Sequence, residues 1–133
     1  MRNVGSTVWR FGLALLLAAH GVAHAVGFLV PWGSAIGGTP YDTTLLGGLV
    51  DVGGTGMLVM GFLYLGVAVA FLLAAVAVAQ ELVGWRRWTL GVAAFSTGLT
   101  VTGWPATQIG LYLDLVLIAA LLVVPRVGMG ARR

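Results

Sequence analysis

The stretch TVWRFGLALLLAAHGVAHAVGFLV, residues 7–30, carries a single formal charge, Arg10, near its start and is otherwise almost wholly apolar but for two histidines. A run of this length matches the roughly 20 apolar residues that take an α-helix across a bilayer. His20 and His24 are the only histidines in the chain. Their spacing stacks both imidazoles on one helix face. Charged groups inside such a segment cost on the order of 2.5–3.5 kcal/mol each on insertion scales, so ionisable residues there mark function by default.

Composition agrees with the membrane reading. Of 133 residues, 59% are hydrophobic and only 8% are charged, too few to build a water-facing surface. Cysteine is absent, which removes disulfides, thiolate metal sites and thiol redox chemistry. The net charge of +3 sets 7 basic residues against 4 acidic ones, and every basic residue is an arginine: Arg2, Arg10, Arg86, Arg87, Arg126, Arg132 and Arg133. They lie towards the two termini and in one short connection, the positive-inside pattern. No basic cluster interleaves with aromatics, so nucleic acid is not an expected partner. The apolar N-terminal run is too long for a signal-peptide core and reads as a retained first helix.

Working outward, the pattern predicts an all-α, four-helix membrane bundle in a single domain, with spans near 7–30, 54–80, 88–104 and 107–124. The first is expected to stop at Pro31-Trp32-Gly33 and the third at Pro105. Residues from Thr43 to Gln80 would make about 57 Å of helix, against a hydrocarbon core of roughly 30 Å. The glycines around Val52-Gly53-Gly54-Thr55-Gly56 are the expected break. Residues 43–53 then read as a lip helix or re-entrant piece, and 81–88 as an interfacial loop. An even number of spans puts both termini on one side, and the arginines make that side cytoplasmic. The expected location is the cell membrane, multi-pass.

Helix rise gives depth. His24 falls about 9 Å below Val30, His20 about 15 Å, and Asp114 about 10 Å beyond Thr107. Asp51 lies about 12 Å along if the second helix starts at Thr43, and near the surface if it starts after the glycines. His20, His24, Asp51 and Asp114 are therefore the candidate ligand-binding cluster, and their charges would cancel if all ionised. His20 and His24 share a stripe with Leu13, Leu16 and Leu17. Ser96 and Thr100 would add hydroxyls from the third helix, and Gly110 would let the fourth approach closely. The bland alternative is a satisfied polar network that only pins the helices.

Two histidines at i and i+4 with a carboxylate from another helix also resemble half of many zinc, iron or copper sites, so His20, His24, Asp51 and Asp114 are equally the candidate metal ligands. Met57 and Met60 read as core packing rather than copper ligands. The glycine-rich run at 53–56 lacks the lysine and the strand of a phosphate loop.

The segment Leu17-Ala18-Ala19-His20-Gly21-Val22-Ala23-His24, followed by Gly27-Phe28-Leu29, resembles the end of the first helix in DoxX-like membrane proteins, which are also small and four-helical. Leu49-Val50-Asp51-Val52-Gly53-Gly54, leading into Met57 to Gly61, looks like the opening of their second helix. The resemblance runs from the N-terminus to about Gln80. His24 stands where a lysine is common, and Asp51 where glutamate is more usual. The resemblance implies a quinone-linked role as a subunit of a membrane oxidoreductase such as thiosulfate:quinone oxidoreductase, with His20 and Asp51 as the carried-over positions.

The expected function is a small integral membrane subunit of a redox system, more an accessory subunit than a stand-alone enzyme, binding quinone or another apolar ligand at the His/Asp cluster. A divalent metal is the other cofactor left open. The alternatives are a transporter or channel for protons, metal ions or small solutes through the same cluster, and a structural subunit of a membrane complex. Expected partners are the lipid bilayer and either a second copy or a membrane or redox protein.

Overall fold

Four α-helices appear in the computed structural model, which describes residues 4–123: α1 (Val4–Gly37), α2 (Gly53–Ala79), α3 (Trp85–Thr102) and α4 (Gln108–Val123). Between α1 and α2 lies a small antiparallel hairpin of β1 (Thr44–Leu45) and β2 (Val50–Asp51). The all-α expectation holds. Helices α1 and α2 are long and apolar enough to cross a membrane, and α4 is a shorter apolar helix.

Three boundaries differ from the sequence reading. Helix α1 runs straight through Pro31 to Gly37. Proline there removes one intrahelical donor, and packing against α2 holds the helix together: Pro31 is buried and Trp32 Nε1 donates to the Leu58 carbonyl at 3.2 Å. Residues 43–53 form the hairpin, not a lip helix. Leu46, Gly47 and Gly48 take left-handed backbone (φ 54°, 67° and 95°), a geometry that glycine permits and that ends any helix. The Leu46 amide then bonds to the Thr102 carbonyl at 2.8 Å, tying the hairpin to the end of α3. Finally, α3 begins at Trp85 rather than Trp88 and stops at Thr102 rather than Trp104. Gly84 (φ 83°) makes the turn, so Arg86 and Arg87 stand in the first helical turn instead of a loop.

Cations at a helix N-terminus oppose the macrodipole. Arg86 offsets this by donating to the Leu121 carbonyl in the last turn of α4, where cations are favourable. Arg10 pairs with Glu81 nearby, and Trp9 meets Trp85 at 6.3 Å. The described arginines thus gather at one end of the bundle and the hairpin closes the other. Arg2, Arg126, Arg132 and Arg133 lie outside the described residues.

The most extensive packing is between α1 and α2. A Cβ on Gly21 would come within 2.8 Å of the Ala68 carbonyl oxygen, and one on Gly27 within 2.5 Å of the Tyr64 ring. Small residues allow this approach, which in lipid is driven by contact rather than by water exclusion. The buried face of α1 runs through Ala14, Leu17, His20, Gly21 and His24. Leu16, expected on that stripe, is on the outside with 49% exposure. Leu17, His20 and His24 stay on the buried face, whose centre lies towards Ala14 and Gly21, and that leaves Leu16 at its outer edge.

Candidate functional site

Helix α1 delivers His20 and His24 one turn apart, α3 delivers Ser96, and α4 delivers Asp114, all buried. His20 Nε2 is 2.8 Å from Asp114 Oδ1. The Ser96 hydroxyl lies 2.6 Å from Asp114 Oδ2 and 2.9 Å from His24 Nε2. Gly110, one turn before Asp114, lets α4 rest on Thr100: a Cβ there would touch Thr100 Cγ2 at 3.4 Å.

With Asp114 ionised, these distances set the proton positions. An ionised carboxylate only accepts, so His20 Nε2 and the Ser96 hydroxyl both donate to Asp114. Ser96 has one proton and has spent it, so its oxygen accepts from His24 Nε2–H. Both imidazoles therefore carry their proton on Nε2 when neutral and keep a lone pair on Nδ1. His20 Nδ1 is buried without a hydrogen-bond partner among the described residues.

Aromatic rings of α2 wall the pair. Phe71 meets the His20 ring edge-on at 4.7 Å and stacks on His24 at 5.6 Å, and Tyr64 stacks on His24 at 5.8 Å. Neither residue was singled out from the sequence. Their seven-residue separation, two turns along one face of α2, was the available signal.

Asp51 does not join the cluster, either as ligand-binding residue or as metal ligand. It is exposed on β2, where it accepts from the Thr43 hydroxyl at 2.7 Å and from the Gly53 amide at 2.9 Å. Those bonds hold its carboxyl below the ordinary carboxylate range. The reason is the hairpin, which starts α2 at Gly53 and leaves Asp51 outside it. Asp42 is likewise exposed and lowered by the Thr44 hydroxyl and amide. Thr100 is buried beside the cluster and lines the cavity described below, while its hydroxyl bonds to the carbonyls of Ser96 and Thr97.

A cavity of about 700 Å³ runs from the hairpin end to this cluster. His20 and His24 stand at its deep end, with Met60, Tyr64, Ile109 and Leu113 among its apolar walls. Thr44, Leu45, Gly47, Gly48 and Trp104 to Ala106 stand at its hairpin end, with Asp42 beside them. Met57 and Met60 both line it, so their packing role includes a cavity wall. On the arginine side the histidines are backed by buried Leu17, Ala74, Val78, Ala93 and Leu117. No protein-family model, curated protein or solved structure matches this chain.

Proposed function

We propose that this chain is a multi-pass membrane protein, both termini cytoplasmic, that binds an apolar ligand with a hydrogen-bonding head group, of the quinone class, as an accessory subunit of a membrane redox system. The observation that carries the reading is the cavity: apolar walls ending on two histidines held in one orientation by Ser96 and Asp114. Concave, mostly apolar sites with a few convergent polar groups are the usual form of small-molecule sites. A volume of about 700 Å³ suits a ring with part of an isoprenoid tail. The head group would meet imidazoles able to donate or accept a proton, which is what a quinone or quinol oxygen requires. The likeness of the His20-Gly21 segment to DoxX-like proteins supports the same ligand class and the subunit role.

Gathering of the described arginines opposite the hairpin supports the orientation. The transporter alternative is weakened by the packed apolar side chains behind the cluster, which leave the polar path closed on the arginine side.

A second reading has its own observation. Ligand atoms of His20, His24 and Asp114 all lie within 4.8 Å of one another, compact enough for one divalent cation held by two nitrogens and a carboxylate. Gentle purification, followed by solvent extraction with mass spectrometry and by metal analysis, separates the two. Near-stoichiometric quinone that disappears in His24→Ala supports the proposal. Stoichiometric metal without quinone supports the second reading, and neither ligand in protein that is fully folded overturns both.

A further inference from the structure

Apart from the histidines, residues of α2 and α3 line a second groove of about 450 Å³. Its two walls have the same pattern: Phe62, Leu63, Gly66, Val67 and Ala70 on α2, and Arg87, Trp88, Gly91, Val92 and Phe95 on α3. Each stripe covers about 12 Å of helix. Gly66 and Gly91 are the midpoints of the two stripes, and a Cβ on either would meet nothing within 4 Å. These glycines therefore do not bring helices together, as Gly21 and Gly27 do. They leave a bare floor over buried Val67 and Val92.

The groove has one charge, and it stands at one end. Arg87 is exposed in the first turn of α3, at the arginine end of the bundle, and makes no hydrogen bond or ion pair with the described residues. Trp88 beside it is half-exposed, the placement of a headgroup-level aromatic. Phe62 and Phe95 form apolar rims at the far end, with 54% and 57% exposure. An apolar trough with a guanidinium at its interfacial end is complementary to one amphiphile, an acyl chain ending in an anionic phosphate.

We infer that this groove is a binding site for an anionic phospholipid of the cytoplasmic leaflet, its phosphate on Arg87 and one acyl chain lying over Gly66 and Gly91. This rests on the membrane orientation proposed above but not on the cavity ligand. A second copy of the chain is the competing occupant. Arg87 argues against it, because a symmetric contact would bring two guanidinium groups to the same interface.

The test is native mass spectrometry of protein released from nanodiscs made of equal parts phosphatidylglycerol and phosphatidylcholine. Phosphatidylglycerol should be retained about fivefold over phosphatidylcholine, the scale of one basic residue at a charged surface. Arg87→Gln should abolish the preference. Gly91→Leu, a better helix former placed in open space, should fill the floor and reduce retention of both lipids. Equal retention by the unaltered protein, or a preference that survives both substitutions, would overturn the inference. So would a dimer that Gly91→Leu dissociates, which would assign the groove to a second copy. Carbonate extraction of the native membranes keeps the two readings apart. Release of the protein would sink the membrane reading and this one with it, whereas retention without lipid preference would sink this one alone.

Discussion

The Ser96 hydroxyl donates to Asp114 Oδ2 at 2.6 Å and joins α3 to α4 beside the two histidines of α1. Because the serine proton is committed to the carboxylate, its oxygen can only accept from His24. His20 meets the other carboxylate oxygen directly. Two residues on one helix are thus read by a single aspartate, one directly and one through a hydroxyl.

Coupling between His24 and Asp114 should therefore run through Ser96. In a double-mutant cycle, His24→Ala and Asp114→Asn should be non-additive by about 0.5–2 kcal/mol, the range for residues sharing a network. Repeating the cycle in a Ser96→Ala background should bring the coupling close to zero. Unfolding in detergent micelles measures it, and coupling that persists without the hydroxyl would show direct communication between the two.

The α1–α2 contact should be intolerant of bulk at one glycine and indifferent at another. Gly21→Val should cost about 1–3 kcal/mol, because the added carbon meets backbone that cannot step aside. Gly12→Ala, where a Cβ would meet nothing within 4 Å, should be neutral or slightly stabilising. Equal thermal stability of the two variants would contradict the packing described.

Acid should loosen the hairpin. The Thr43 hydroxyl and Gly53 amide hold the Asp51 carboxyl below its ordinary value of 3.8. A lowered carboxylate stabilises above the unfolded value, and that contribution is lost as pH falls through the folded value. Hydrogen exchange at the Gly53 amide, which donates to this carboxylate, should stay protected at neutral pH and open below 3.8. Asp51→Ala should remove the pH dependence, and an unchanged profile in that variant would place its origin elsewhere.

Topology is open to direct labelling, since the chain has no cysteine. Thr39→Cys, between α1 and the hairpin, should react with a membrane-impermeant maleimide applied to intact cells. Val83→Cys, fully exposed between α2 and α3, should react only after the membrane is opened. The reverse pattern would invert the orientation.

What the chain determines locally is the number of helices and their polar cargo. Long apolar runs, the arginine positions and the His20/His24 spacing are short-range features, so the four-helix reading and all three ionisable members of the cluster, His20, His24 and Asp114, were legible, with Asp51 a fourth candidate that lies outside it. Ser96 was legible as a hydroxyl on α3, though not as the bridge between two of them. Asp51 and Asp114 are different in kind. Each is an aspartate in an apolar stretch, and the glycines that follow Asp51 allow it to lie outside the second helix without requiring it. The hairpin decided it: left-handed backbone at Leu46, Gly47 and Gly48 ends any helix there, and the bond from the Leu46 amide to Thr102 carries the strand pair onto the far end of α3. Pro31 makes the same point in reverse. Its missing amide says stop, and contacts made by Trp32 and α2 outweigh it. Boundaries, the choice of aspartate and the cavity are properties of how helices meet, because they depend on contacts between residues tens of positions apart, which no local preference encodes.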